Sequence, residues 1–174
     1  MEKLLSNHDI EEIVGEELPV IISSDLGNFN NLDELFGDND KALILYEDYN
    51  DGQRVNGHWC CLVRKSNDIY FYDSYGGFID DQLNSIHPHY REKTNQLKRH
   101  LSELLYDSPY ENIHYNPHKH QKHKNGVNTC GRHCGVFLKF ELDPEEYNDL
   151  LKDLKNIYNE NYDKLIVDLT KKYI

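Results

Sequence analysis

The sequence predicts an α+β domain, with hairpin-linked strands in the middle of the chain, helices at its end and no regular strand–helix alternation. Three observations carry that reading. "HWCCLVRK" and "DIYFYDSYGG" are β-rich runs separated by the turn cluster "SND", which is a hairpin pattern. "KALILYEDY" is an apolar run with the length of a buried strand. The closing stretch, "DPEEYNDLLKDLKNIYNENYDKLIVDLTKKYI", reads as two helices, with Asp143 as N-cap ahead of Pro144 at the first helical position.

Taken in chain order, "NHDIEEIVGEE" reads as a short capped helix stopped at Gly15. "PVIISSDL" follows as a strand, "NNLDELFG" as a helix of one or two turns ended by Gly37, and "NDGQRVNG" as a polar loop after the buried strand. Beyond the hairpin, "NQLKRHLSELLYD" carries leucines at 97, 101, 104 and 105, a helical stripe. "ENIHYN" is a further strand. "CGRHCGVFLKFEL" is a helix with apolar residues at 134, 137, 138 and 142, weakened by Gly131 and Gly135.

The chain has 174 residues, 38% of them hydrophobic, with thirteen tyrosines and six phenylalanines. That suits one domain, residues 1–174, with a core large enough to need no staple. No run of about 18 apolar residues marks a membrane span. The N-terminus has no apolar signal segment, which points to an intracellular setting with reduced thiols. A net charge of −12 sets nucleic acid and anionic membrane at a long-range disadvantage. The basic stretch "HKHQKHK", residues 118–124, reads as a solvated loop.

The candidate chemistry begins in the hairpin. Eight residues run back from Lys65 to His58 and six run forward from Asp68 to Asp73, so the two side chains are neighbours or near-neighbours at its open end. A carboxylate there holds an imidazole in one tautomer and stabilises its charged form; a plain surface pair would look the same. Cys130 stands at the start of the "CGRHCG" helix, where Asn128 or Thr129 can cap and the dipole favours a thiolate. Its backbone N–H points where an oxyanion would form. Cys134 lies one turn deeper on the apolar stripe and reads as a core thiol. Cys60 and Cys61 alternate between the faces of a buried strand.

A zinc site is the competing reading, from Cys130 and Cys134 with His114, His118, His120 or His123. Against it, the Cys-x₃-Cys spacing lacks the knuckle of common zinc ribbons, and the histidines offer several registers and no defined pair. Gln121, nine residues before Cys130, is a side-chain amide that could serve an oxyanion or be merely solvated.

In order, "GHW", "FYDSYGG", a Gln and "NTCGRHC" resemble the adenain and ubiquitin-like-protein (SUMO) protease superfamily, and within it the maturation proteases of adenoviruses, virophages, Polinton/Maverick elements and giant DNA viruses. The likeness spans about residues 19 to 140. It implies a papain-like cysteine protease fold, a mixed central sheet flanked by helices, with the nucleophile opening a central helix. It implies His58 as general base, Asp73 as its orienting carboxylate, Cys130 as nucleophile and Gln121 as oxyanion donor. Trp59 would line a narrow substrate groove (a core tryptophan is the plain reading), and Gly131 would leave room for a substrate backbone. The Gln-to-Cys gap is longer here than in those enzymes, with "KHKNGVN" taking up the difference; Asn125 and Asn128 are the fallback amides. The resemblance further implies a protein substrate, either a viral structural precursor cut near glycine or the tail of a ubiquitin-like protein, no cofactor, an optional activating peptide, and a place in the virion and the host cytoplasm.

Overall fold

A computed structural model describes residues 3–174; Met1 and Glu2 of the expected 1–174 domain lie outside the described residues. Its centre is a five-stranded mixed sheet in sequence order, β1 (Val20–Ile22), β2 (Lys41–Asn50), β3 (Gln53–Lys65), β4 (Asp68–Tyr72) and β5 (Asn112–Tyr115). The pairs β2–β3 and β3–β4 are antiparallel, whereas β1 and β5 join the two edges in parallel.

The helices are α1 (Asn7–Val14), α2 (Leu32–Phe36), α3 (Pro88–Lys93), α4 (His100–Tyr106), α5 (Cys130–Phe140), α6 (Pro144–Tyr158) and α7 (Tyr162–Thr170). Period-2 alternation sorts the strands' side chains into two cores. Leu43, Leu45, Trp59, Cys61, Val63 and Tyr72 bury one face beneath α1, α5, α6 and α7. Ile44, Tyr46, Cys60, Leu62 and Phe71 bury the other with α2 and α4. Adjacent cysteines 60 and 61 therefore face opposite cores, as expected.

Local chemistry explains the ends of these elements. Ser6 and Asp9 form a capping box on α1, and Gly15 closes it at φ +90°. Asp143 accepts hydrogen bonds from the Glu145 and Glu146 N–H groups ahead of Pro144. Three expectations need correction. "PVIISSDL" is a strand only over Val20–Ile22 and then turns into a 3₁₀ segment, Ser23–Asn28. "NDGQRVNG" is not a loop: β2 and β3 continue to a two-residue turn, Asp51–Gly52, with φ of 51° and 76°. Both positive values fit the turn that the dipeptide Asp-Gly favours. Finally, α4 begins at His100, and Leu97 is exposed rather than part of a core-facing stripe.

Candidate active site

Strand β3 carries His58 out beyond the last residue paired with β4. The β3–β4 register ends at Cys61 opposite Tyr72, so the chain reaches Asp73 just past the ladder, beside Cys60 and diagonal to His58. Nε2 of His58 lies 2.7 Å from Oδ1 of Asp73, with both side chains buried. That engages Nε2 and leaves Nδ1 for another partner.

Asp73 is held by more than the imidazole. The Tyr75 N–H donates to Oδ1 at 2.9 Å and the Gln82 amide donates to Oδ2 at 2.8 Å. A Cβ at Gly77 would stand 2.8 Å from Oδ2, so that position is closed to larger residues. Burial by itself would raise the Asp73 pKa. The His58 charge and these hydrogen bonds outweigh it, and the carboxyl sits below its ordinary value. Burial likewise opposes charging His58, but Asp73 and Cys130 overcome it and hold the imidazole well above its usual 6.5.

Cys130 opens α5, and the Trp59 N–H points at its sulfur at 3.5 Å. Thr129 occupies the cap position but makes no side-chain bond to the helix. Its hydroxyl donates instead to Asp163 at 2.6 Å, so of the two expected caps, Asn128 or Thr129, Thr129 does not form one. Cys134 lies one turn inside, fully buried, 3.5 Å from the Trp59 carbonyl; burial pushes its pKa well up. The two thiols of "CGRHC" thus differ in position, Cys130 at the helix start and Cys134 one turn deeper, and both are buried.

Trp59 is a core residue here, 3% exposed, with its indole N–H on the Leu5 carbonyl at 2.9 Å. The close neighbours of a Cβ at Gly131 are Leu5, Ile10 and Trp59, between 3.1 and 3.3 Å, so glycine at this position lets the N-terminal segment and the indole press against the helix start. Gln121 is brought into the site, because His120 and Gln121 both donate their backbone N–H to the Ser74 carbonyl. Its side-chain oxygen accepts from the Ser74 hydroxyl at 2.6 Å, and its NH₂ donates to the Val127 carbonyl at 3.0 Å and reaches the Tyr75 hydroxyl at 3.4 Å. The "HKHQKHK" stretch is accordingly not a wholly solvated loop: His120 and Gln121 are buried. His120 binds the Tyr72 hydroxyl and Asn148, and His118 pairs with Glu145. Among the described residues, the one group of three His, Cys, Asp or Glu donors within 4.8 Å of one another is His58, Cys60 and Asp73. Cys130 and Cys134 do not form such a group with the loop histidines.

Sequence reasoning missed two supporting residues. Tyr75 stacks on the His58 ring at 4.4 Å and is itself stacked by His123 at 4.6 Å. Its N–H bond to Asp73 is an Asx turn that "DSY" could have signalled. Gln82 comes from a 3₁₀ segment, Asp81–Ser85, with no local motif.

Over 168 residues the chain is 35% identical to "Uncharacterized protein V9" of Sputnik virophage, a match covering 95% of this chain and 93% of that protein. The chain belongs to the V9 family. No protein-family model matches it. A solved structure of ChlaDub1 from Chlamydia trachomatis aligns with 100% of this chain and 96% of its own at a TM-score of 0.43 and 9% identity, too distant to carry a fold family across. No helix of the described V9-family chain is long and apolar enough to cross a membrane.

Proposed function

We propose that this V9-family protein is a cysteine endopeptidase of the adenain/SUMO-protease type that cleaves viral structural precursors near small residues such as glycine. The observation that carries the reading is the buried His58–Asp73 pair, 2.7 Å apart, set against a cysteine at the start of an 11-residue helix. Burial, a paired carboxylate and a helix dipole are the arrangement that converts a thiol and an imidazole into a thiolate–imidazolium pair. The kinship with a virophage protein supports a viral substrate. The resemblance to the adenain and SUMO proteases supports small residues at the cut.

In the proposed reaction the Cys130 thiolate attacks the scissile carbonyl carbon, and the carbonyl electron pair moves to oxygen. The helix-start N–H groups face that oxyanion. Gln121 joins them once its amide leaves the Val127 carbonyl. As the intermediate collapses, the His58 imidazolium gives its proton to the departing amine and a thioester remains. Neutral His58 then takes a proton from water, hydroxide adds to the thioester, and the thiolate leaves with the carboxylic acid released. Asp73 keeps the Nε2 proton in place throughout.

The test is mass spectrometry of virophage capsid precursors incubated with wild type, Cys130→Ala and Cys134→Ala. Discrete cleavage by wild type and by Cys134→Ala, and none by Cys130→Ala, is expected. Activity retained in Cys130→Ala and lost in Cys134→Ala would reverse the nucleophile assignment. Labelling by a ubiquitin-like-tail thiol probe without precursor cleavage would move the substrate to conjugated proteins.

A further inference from the structure

Lys122 and Thr129 bound the polar stretch that separates Gln121 from Cys130, and one carboxylate holds them both. Oδ2 of Asp163 accepts the Lys122 backbone N–H at 2.9 Å, and Oδ1 accepts the Thr129 hydroxyl at 2.6 Å. Lys122 follows Gln121 in the chain and Thr129 precedes Cys130. Asp163 therefore touches the neighbour of each proposed oxyanion donor. The carboxylate has a firm mount. Asn161 caps α7 by accepting the Lys164 N–H at 2.8 Å, and Leu165 and Ile166 bury that helix in the core. Asp163 stands in its first turn, where the helix dipole favours a negative charge. Burial would raise the Asp163 pKa; His133, Thr129 and the Lys122 N–H outweigh it and keep the carboxyl below its ordinary value. Both oxygens are then acceptors.

The backbone turns at a residue only through φ and ψ, so holding the peptide plane on each side fixes where its side chain points. Gln121 meets that condition. Its own N–H donates to the Ser74 carbonyl at 2.9 Å, and the next N–H, that of Lys122, donates to Asp163. At the other end, the Thr129 bond ties down the residue whose carbonyl forms the peptide link to Cys130. Residues 123–128 between the two anchors are left as a closed loop. Val127, which accepts the Gln121 amide at 3.0 Å, lies inside that loop and follows Gly126, whose φ is 88°. A cavity of about 490 Å³, bordered by Gln121, Val127 and Asp163, gives the loop room to release the amide while the Gln121 backbone stays in place. We propose that Asp163 is a positioning residue, which sets the Gln121 amide and the Cys130 N–H in one register through Lys122 and Thr129. The clamp stands on this geometry; its effect on rate rests on the protease reading.

Asparagine has one acceptor oxygen where the carboxylate has two, so Asp163→Asn opens at least one arm of the clamp. Thr129→Val opens the other arm without touching α7, and Thr129→Ser keeps it. Each variant is assayed for hydrolysis of fluorogenic peptides with glycine at the cut, for Cys130 alkylation by iodoacetamide, and for exchange of the Lys122 amide proton by NMR. Alkylation needs the sulfur nucleophile but forms no oxyanion, so it reports on the rest of the site. Asp163→Asn and Thr129→Val are expected to lower kcat by about 10- to 100-fold, with KM and the alkylation rate within about twofold of wild type. Thr129→Ser keeps the wild-type kcat. The double variant falls no further than the less active single one, because both changes open the same clamp. Lys122 exchange is faster in Asp163→Asn. An unchanged kcat in both single variants, or alkylation slowed as much as hydrolysis, would overturn the positioning role. Lys122 exchange unchanged in Asp163→Asn would overturn the clamp itself. A wild type that cleaves no peptide, with Lys122 exchange faster in Asp163→Asn, would uphold the clamp and remove the protease reading.

Discussion

His58 and Asp73 each face a burial penalty for being charged, and each removes the other's. The signs follow from their shifts. The His58 pKa is raised on folding, so its contribution to stability is complete below about 6.5 and is lost as pH rises through the raised folded value. The Asp73 pKa is lowered, so its contribution is present above the ordinary carboxyl range and is lost as pH falls through the depressed one. In the proposed reaction the same pair shapes the rate. The alkaline limb of kcat/KM is expected above the ordinary imidazole value of 6.5, because the pair keeps His58 charged there. Asp73→Asn should bring that limb down and reduce kcat, readable from a pH–rate profile with a fluorogenic peptide. An alkaline limb unmoved by Asp73→Asn would show that another group sets it.

At the scale of elements, α5, which opens with the proposed nucleophile Cys130, is positioned by contact with α1. A Cβ added at Gly135 would stand 2.9 Å from Cγ2 and 3.1 Å from Cβ of Ile13, atoms close to the α1 backbone with little freedom to yield. Alanine gains about 1 kcal/mol over glycine in helix propensity, whereas overpacking a tight core costs about 1–3 kcal/mol. Gly135→Ala should therefore be net destabilising by up to about 2 kcal/mol, measured by urea unfolding, and should displace the helix start enough to slow Cys130 alkylation. A stabilised Gly135→Ala would mean that α1 can move aside. The hairpin was legible in part. "SND" between two β-rich runs marks the β3–β4 turn, but Asp51–Gly52 is an equally direct signal, masked by the polar residues Gln53, Arg54 and Asn56 that β3 carries past the end of β4. The short helix α3 escaped notice because six residues give too little periodicity to register.

At the scale of the molecule, two buried histidines face the C-terminal helices, His120 from the loop before Cys130 and His133 from α5. Burial lowers the His120 pKa to about 4, and burial outweighs the attraction of Asp163, 3.5 Å away, to lower that of His133. Both rings bind protons more weakly folded than unfolded, so stability rises with pH between their folded values and 6.5, and falls on acidification across that interval. His120 alone accounts for about 2 kcal/mol between pH 7 and pH 5. Urea unfolding at those two pH values should show a loss in wild type, offset in part by His58, and a loss smaller by roughly the His120 contribution in His120→Gln. Equal losses would place the acid sensitivity elsewhere. None of this could be read from "HKHQKHK", whose composition is that of an exposed basic loop. Its burial follows from the Ser74 carbonyl, which holds the His120 and Gln121 N–H groups, and from Tyr72 and Asn148, which bracket the His120 ring.

The sequence by itself determined the mixed class of the fold, most of its elements and the placing of Cys130 at a helix start with Cys134 one turn deeper, because period, caps and turn residues act over a few positions. It also placed His58 and Asp73 together, since a three-residue turn and strand pairing convert sequence distance into proximity. Only the tertiary structure decided what lies beyond the reach of one hairpin or one helix. Thr129 is drawn from its cap to Asp163, 34 residues away. Trp59 lies beneath Leu5 rather than open to solvent, and the Gln121 amide is tied to Val127. Hydrogen bonding and burial at these positions depend on which distant surfaces meet, and no local pattern records that.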